Sequence, residues 1–485
     1  MLRVRYHLLA LLSLAGAAAS AKPHDYLQAC WHQQGQPLQH NLLVLNYRET
    51  VNELEHNLAP WQTTAYAGRG TVWTSADKFL KQDTLTAMAR QRTYFSSTQR
   101  SATSLLYRDY GDKDLFAATQ DMQQEYVFRA ARYSPLNLLA YFRQQHLAAD
   151  ALAPAGLVSY HTTINQTVVR LFIRQQDALL AYVTLLGPDE LLGDVTTTFR
   201  YQDYAHVGQL AYATRVQVEK TNGKVLEEVH VRSASTQATA PTLLTAPAGY
   251  HLLPTTEVPP DVRVETYRPH LHFVELKHTS DRALVVEFDQ FLLVAEAPLN
   301  SQNGELIIAA AHKLAPGKPI RYFVAGHHHP HYLGGLRPFV QRGATVLVGT
   351  GDEAYVRYLA LAPHTLHPDS LQRHPQPVQV EEIQRRKTIT DGHFEMQIFC
   401  IGAQSGHTND YLLYYFPGEK LLFEDDLAGI PQQGPGRPAS ARQAGLYHAI
   451  QDLHLDVTTV VQSWPVGAAG IKTIFPFTEL AQSVK

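Results

Sequence analysis

Four histidines fall within five residues in the run Gly326-His327-His328-His329-Pro330-His331-Tyr332-Leu333-Gly334-Gly335. Imidazole is the commonest protein metal ligand, and so dense a group is poorly explained by packing. Just upstream, Ile320-Arg321-Tyr322-Phe323-Val324 is apolar and β-prone, which predicts a buried strand. The histidines therefore occupy the loop leaving a strand, and Gly334-Gly335 marks a bend before 336–340. His327 and His329, one residue apart, are able to turn both rings toward one ion. Zinc takes imidazole nitrogens at about 2.0–2.1 Å and, in a catalytic site, keeps one position open for water. The alternative is a polar surface loop that is merely His-rich.

A chain of 485 residues is too long for one ordinary core, and two domains are expected. With 45% hydrophobic and 18% charged residues and a formal net charge of −3, neither disorder nor a nucleic-acid partner is indicated. Arg3 and Arg5 precede an apolar run over 8–19, and Ala19-Ser20-Ala21 has the form of a cleavage site. This predicts a signal peptide over 1–21 and a mature chain from Lys22, periplasmic or secreted. The run is short for a membrane span, and no later segment offers one. Two cysteines, Cys30 and Cys400, are left to pair or to stay free.

Residues 22–232 read as a mainly antiparallel β unit with helices. An amphipathic helix is predicted over 135–152, and strands dominate 157–231, with Asn222-Gly223 as a hairpin turn. The Ala-, Thr- and Pro-rich stretch 233–262 reads as a linker. From 263 to 485 strands and helices alternate, an α/β unit. A hairpin turns at Asp289-Gln290, a helix covers 305–314, and Ala344-Thr345-Val346-Leu347-Val348 is a further strand. Glu424-Asp425 and Glu381-Glu382 read as solvated charge.

Several motifs of this second unit carry a resemblance. His327-His328-His329-Pro330-His331-Tyr332 follows a strand; Ser405-Gly406-His407-Thr408 has a G-H-T form; Leu421-Leu422-Phe423-Glu424-Asp425-Asp426 is a strand ending in acids. Together they resemble the metallo-β-lactamase fold superfamily of metallo-hydrolases, over roughly 266–485. Ala295-Glu296-Ala297-Pro298 and Lys318-Pro319-Ile320-Arg321-Tyr322 are similar to wording of an exported branch. The resemblance implies an αββα sandwich, with His327, His329 and His407 holding the first metal and Asp426 as the bridging ligand. Within 22–232, the stretch 189–204 together with the Asn222-Gly223 hairpin is weakly similar to the open sheets of exported lipoprotein carriers.

The chain departs from the superfamily at its second metal site. His331 stands where the family has Asp, Tyr332 where it has His, and Gln462-Ser463-Trp464 where its last His is expected. Tyr332 and Trp464 are poor ligands for a hydrated divalent ion, so one zinc is expected rather than two. One zinc on three histidines still acidifies bound water and polarises a carbonyl or phosphoryl oxygen. The expected catalytic roles are Asp426 toward that water, His331 as a second acid or base, and Tyr332 as donor to an oxyanion. Each has a plainer alternative: a loop brace for Asp426, pocket filling for Tyr332 and Trp464, a solvated side chain or weak extra ligand for His331. The expected function is hydrolysis of an ester- or amide-type small molecule. The competing function is a metal- or ligand-binding member of the same fold that has lost turnover.

Overall fold

The structure, a computed structural model, describes residues 25–484 apart from 55–56, 89–90, 102–104, 109–114, 242–251, 255–257, 434–437 and 467–469. The predicted signal peptide over 1–21 lies outside the described residues.

Two antiparallel meanders make one thirteen-stranded sheet. The first runs from Leu42–Glu53 to Leu115–Ala117 and the second from Leu157–Ile164 to Val225–Gln237. They join where Leu42–Glu53 pairs with Val225–Gln237, from Leu42↔Gln237 to Thr50↔Glu228. The short strand Leu252–Pro254 adds in parallel to Leu115–Ala117. Strand residues alternate in direction, so one face is apolar, and it packs under helices Tyr26–Gln34 and Leu136–Gln144. Leu138, Leu139 and Phe142 meet Leu43, Leu45, Val169, Leu171, Val216 and Val218 there.

Two expectations need correction in this part. The helix predicted over 135–152 stops at Gln144, because His146 adopts a left-handed φ of 50° and Asp150 N donates to Ser159 O at 2.8 Å. The apolar residues that suggested a longer helix belong to a connection, and Leu152 is 89% exposed. The stretch read as a linker is occupied at both ends: one strand runs to Gln237, and Val262–Arg268 begins another sheet.

The remaining strands form two stacked sheets. The first has seven strands in chain order: Val262–Arg268, Leu271–Leu276, Asp281–Glu287, Leu292–Ala295, Ile320–Val324, Thr345–Gly349 and Val380–Ile383. The last four run parallel to one another. The second has six: Arg386–Thr390, Glu395–Cys400, Leu412–Phe416, Leu421–Glu424, Thr459–Gln462 and Ile474–Pro476. Burial on both faces makes the central strands Leu292–Ala295 and Leu412–Phe416 apolar throughout. Leu284, Val286, Leu293, Val324 and Leu347 meet Met396, Ile398, Leu412, Tyr414, Phe423 and Val461 between the sheets. Val285, Val294, Phe323 and Val346 face outward under Ser301–Leu314, Arg337–Gln341 and Glu353–Leu361. On the far side Leu413, Tyr415, Leu422 and Val460 pack under Ala441–Asp452 and Phe477–Val484. Helices, sheet, sheet, helices is an αββα layering.

Gly334-Gly335 is not a bend of special backbone conformation. Gly334 is right-handed helical, with φ −58°, between the short helices Pro330–Leu333 and Arg337–Gln341. A Cβ there would lie 2.5 Å from the Leu299 backbone, so close packing is what calls for glycine. Cys30 and Cys400 are both free. Among the described residues no helix is long and apolar enough to cross a membrane.

Candidate metal centre

Strand Ile320–Val324 lies between two parallel neighbours, and in such sheets the crevice beyond the carboxyl ends of the strands is where ligands sit. Its end releases Gly326, whose N–H donates to Glu296 Oε2 at 3.2 Å and whose carbonyl accepts from Leu412 N at 2.7 Å. That second bond ties the histidine loop to the facing sheet. There, His407 precedes strand Leu412–Phe416, and Ser405 Oγ accepts from the N–H groups of His407 and Thr408 at 3.1 and 3.2 Å. Asp425 and Asp426 follow strand Leu421–Glu424.

The two loops bring His327, His329 and His407 together. Each offers one ring nitrogen, and these nitrogens all lie within 4.8 Å of one another. The ring centroids are 4.6, 4.8 and 4.8 Å apart. His327 Nε2 faces His329 Nδ1 at 3.0 Å. The opposite nitrogens are held from outside: His327 Nδ1 lies 2.8 Å from Asp425 Oδ2, and His329 Nε2 lies 3.0 Å from the carbonyl of Asn57. A carbonyl only accepts, so the neutral His329 ring carries its proton on Nε2 and turns a lone pair on Nδ1 inward. His407 Nε2 is buried and makes no hydrogen bond, although Asp426 Oδ2 lies 3.1 Å away. Burial, then the neighbouring His329, His407, His328 and Arg442, hold His327 well below the usual imidazole range and keep it neutral. Three converging buried imidazoles, two of them held from outside, suit a divalent cation such as zinc.

Acids surround the trio at different protonation levels. Burial opposes ionisation of Asp426, but His407, Arg442 and His329 outweigh it and hold its carboxyl below the usual carboxylate range. Arg442 Nη1 donates to its Oδ2 at 3.2 Å. Burial drives the opposite outcome one residue earlier: Asp425 is raised well above the usual range, further helped by Glu296, Asp426 and Glu424. Glu296 is pushed up to about 8 by burial, with Tyr414 Oη donating to it at 2.6 Å. The reading of Glu424-Asp425 as solvated charge is therefore wrong: both are fully buried. Local polar groups make this tolerable, since Glu424 Oε2 accepts from Leu427 N at 2.7 Å and from Tyr411 Oη at 3.2 Å. Tyr411 Oη in turn accepts from the N–H groups of Asp425 and Asp426.

A second buried group, His328, Asp352 and Asp410, adjoins the trio. Asp410 Oδ2 accepts from His328 N at 2.7 Å, and its two oxygens lie 3.1 Å from His328 Nδ1. Burial, then the hydrogen bond and charge of Asp410, push Asp352 up to about 11, whereas His328 and Asp352 hold Asp410 low against its own burial. The group crosslinks the two histidine-bearing loops.

His331 points elsewhere than the trio's shared centre: its Nδ1 lies 3.0 Å from Asp281 Oδ1, and Trp464 packs 5.3 Å from its ring. Tyr332 is buried beside His327, with ring centroids 4.2 Å apart. So of the residues singled out in the sequence, His327, His329, His407 and Asp426 converge, Tyr332 flanks them, and His331 turns to Asp281. Sequence reasoning missed Asp425, Asp281, Glu296 and the Asn57 carbonyl. Only the first three have a side chain that offered a signal, an acid at a strand end or beginning. The trio is deeply set, with His327, His329 and His407 only 1%, 2% and 4% exposed. One cavity, of about 1030 Å³, is lined by Lys81, Arg132, Asn300 and Asp369 among others and by none of the three.

No protein-family model matches the chain, and no curated protein matches it by sequence. Among solved structures, DIM-1 metallo-β-lactamase is 14% identical, covers 46% of this chain and 96% of its own, and gives a TM-score of 0.34. A metallo-β-lactamase from Pontibacter korlensis is 16% identical over 46% of this chain and 97% of its own, also at 0.34. The inverting sec-alkylsulfatase Pisa1 from Pseudomonas sp. is 14% identical, covering 46% of this chain and 41% of its own, again at 0.34.

Proposed function

We propose that the chain is an exported metal-dependent hydrolase of the metallo-β-lactamase fold, holding one zinc ion on His327, His329 and His407. The observation that carries this reading is the convergence of three buried ring nitrogens, one from each histidine, within 4.8 Å of one another. Nδ1 of His329 is deprotonated by the Asn57 contact, and Nε2 of His407 is buried without a hydrogen bond. An unsatisfied buried polar atom costs about 1–3 kcal/mol, which a shared cation would relieve. The αββα layering and the placing of the histidines on loops beside strands Ile320–Val324 and Leu412–Phe416 agree with the motif resemblance.

One ion is proposed because the other side of the centre is not a donor set. His331 is engaged by Asp281, Tyr332 is packed on His327, and Trp464 covers His331. Zinc at such a site supplies Lewis acidity and lowers the pKa of water toward about 7. Asp426, kept ionised by His407 and Arg442, accepts a hydrogen bond or a proton from the attacking water through Oδ2. Tyr332, its hydroxyl kept protonated by burial, donates to an oxyanion on an ester- or amide-type substrate. Asp281 fixes the His331 ring for a polar contact to the same substrate.

The test is turnover on a panel of ester, lactam, thioester and phosphodiester substrates. Asp426→Asn is expected to abolish turnover while zinc stays bound; retained activity would remove Asp426 from the chemistry. Kinetics unchanged by both Tyr332→Phe and His331→Ala would remove those two. The depth of the trio favours a second reading, a metal-bearing protein without turnover, and a zinc-loaded chain inert to the whole panel selects it.

A further inference from the structure

The outer contact of His329 does not come from the αββα sandwich. It comes from the connection between strands Leu42–Glu53 and Thr64–Thr74 of the thirteen-stranded sheet. Two consecutive carbonyls there reach both histidine-bearing loops: Asn57 O is 3.0 Å from His329 Nε2, and Leu58 O accepts from Asn409 N at 2.8 Å, two residues after His407. We propose that this connection is a positioning element of the three-histidine centre. The Asn57 carbonyl sets the His329 ring with Nδ1 inward, and the Leu58 carbonyl anchors the loop that carries His407. The proposal rests on the metal-centre reading above and adds to it a contact from outside the sandwich.

The connection is built to hold those carbonyls still. The Asn57 side chain is buried, its Nδ2 donating to Glu53 O at 3.1 Å and its Oδ1 accepting from Thr64 Oγ1 at 2.6 Å. Gln62 Oε1 accepts from Leu58 N at 3.2 Å. Trp61, at a left-handed φ of 64°, packs edge-on against Tyr355 and Tyr358 of helix Glu353–Leu361, at 5.1 and 4.8 Å. Lys224 Nζ, from the Asn222-Gly223 turn, lies 4.4 Å from the Trp61 ring and 4.8 Å from that of Tyr358. None of these bracing side chains is a proposed ligand. A connection that served only to join two strands would have no need of a buried asparagine and a wedged tryptophan at this place.

Groups that hydrogen-bond a ligand's far nitrogen typically contribute 10–100-fold in metal affinity. Zinc affinity of the full chain, measured by competition with a chromophoric chelator, is therefore expected to fall 10–100-fold in Asn57→Ala and in Trp61→Ala, and to recover in Trp61→Phe. Tyr201→Phe, on a strand of the same sheet, removes a buried hydrogen bond to Ala131 O; it serves as the control for general destabilisation and is expected to leave affinity unchanged. Affinity within twofold of the parent in both alanine variants overturns the proposal, as does an equal loss in Tyr201→Phe. A parent chain that binds no zinc refutes the metal-centre reading itself. The hydrogen bond is then read separately in metal-free protein from the nitrogen chemical shifts of His329: Nε2 protonated in the parent, and that preference lost in Asn57→Ala. A parent ring protonated on Nδ1 overturns the positioning role whatever the zinc result.

Discussion

A methyl group at position 326 has nowhere to go. Its carbon would lie 2.0 Å from Asp425 Oδ2, an atom fixed against His327, while the backbone on both sides is hydrogen-bonded to Glu296 and Leu412. Gly326→Ala is expected to destabilise by at least the 1–3 kcal/mol or so typical of overpacking, read as a lowered melting temperature. A melting temperature equal to the parent's would mean that the loop and Asp425 are not locked as described. At this scale the ligand-type residues were legible, because imidazoles at strand ends announce their chemistry. The acids were not. Glu424-Asp425 looks like surface charge, and only the folded chain shows Tyr411, Leu427 N–H and His327 arranged to take both inside. The Asn57 carbonyl was beyond reach, since a backbone oxygen leaves no mark on residue type.

Between elements, one arginine joins three helices. Arg337 Nη1 donates to the carbonyls of Leu359, Ala360 and Ala362, where helix Glu353–Leu361 ends, and Nε donates to Asp369 Oδ2 at 2.6 Å. Asp369 caps helix Ser370–Arg373 through Gln372 N. Burial alone would raise Asp369, yet the bonds from Arg337, Gln372 and Ser301 bring it down to about 2 from 3.8. A carboxyl lowered in the folded state stabilises fully above its unfolded pKa and loses that contribution as pH falls through the folded value. Stability is thus expected to drop by about 2 kcal/mol between about pH 4 and pH 2 on account of this group. In Asp369→Asn that increment should vanish from the acid denaturation profile, and a profile with the parent's slope would contradict the assignment. The elements themselves were readable where local pattern decides, as in strand Ile320–Val324 or the Asn222-Gly223 turn. They were misread where tertiary contacts decide: the helix expected to reach 152 ends at Gln144, and the glycine pair 334–335 answers to Leu299 and Ala297 rather than to a turn.

Across the whole molecule, the αββα layers were expected from the motif resemblance, and the antiparallel character of the large sheet from its alternation. The joining of its two meanders was not, because pairing Leu42–Glu53 with Val225–Gln237 brings together segments far apart in sequence that carry no mutual local signal. The contact of Asn57 with His329 likewise joins segments far apart in sequence, so the large sheet and the sandwich meet at the proposed ion. The most direct test is the zinc content per chain of the purified protein, by elemental mass spectrometry, for the parent and for His407→Ala. The account predicts one zinc per parent chain and a content near zero in the variant. A parent without zinc, or a variant that retains it in full, would contradict the three-histidine centre.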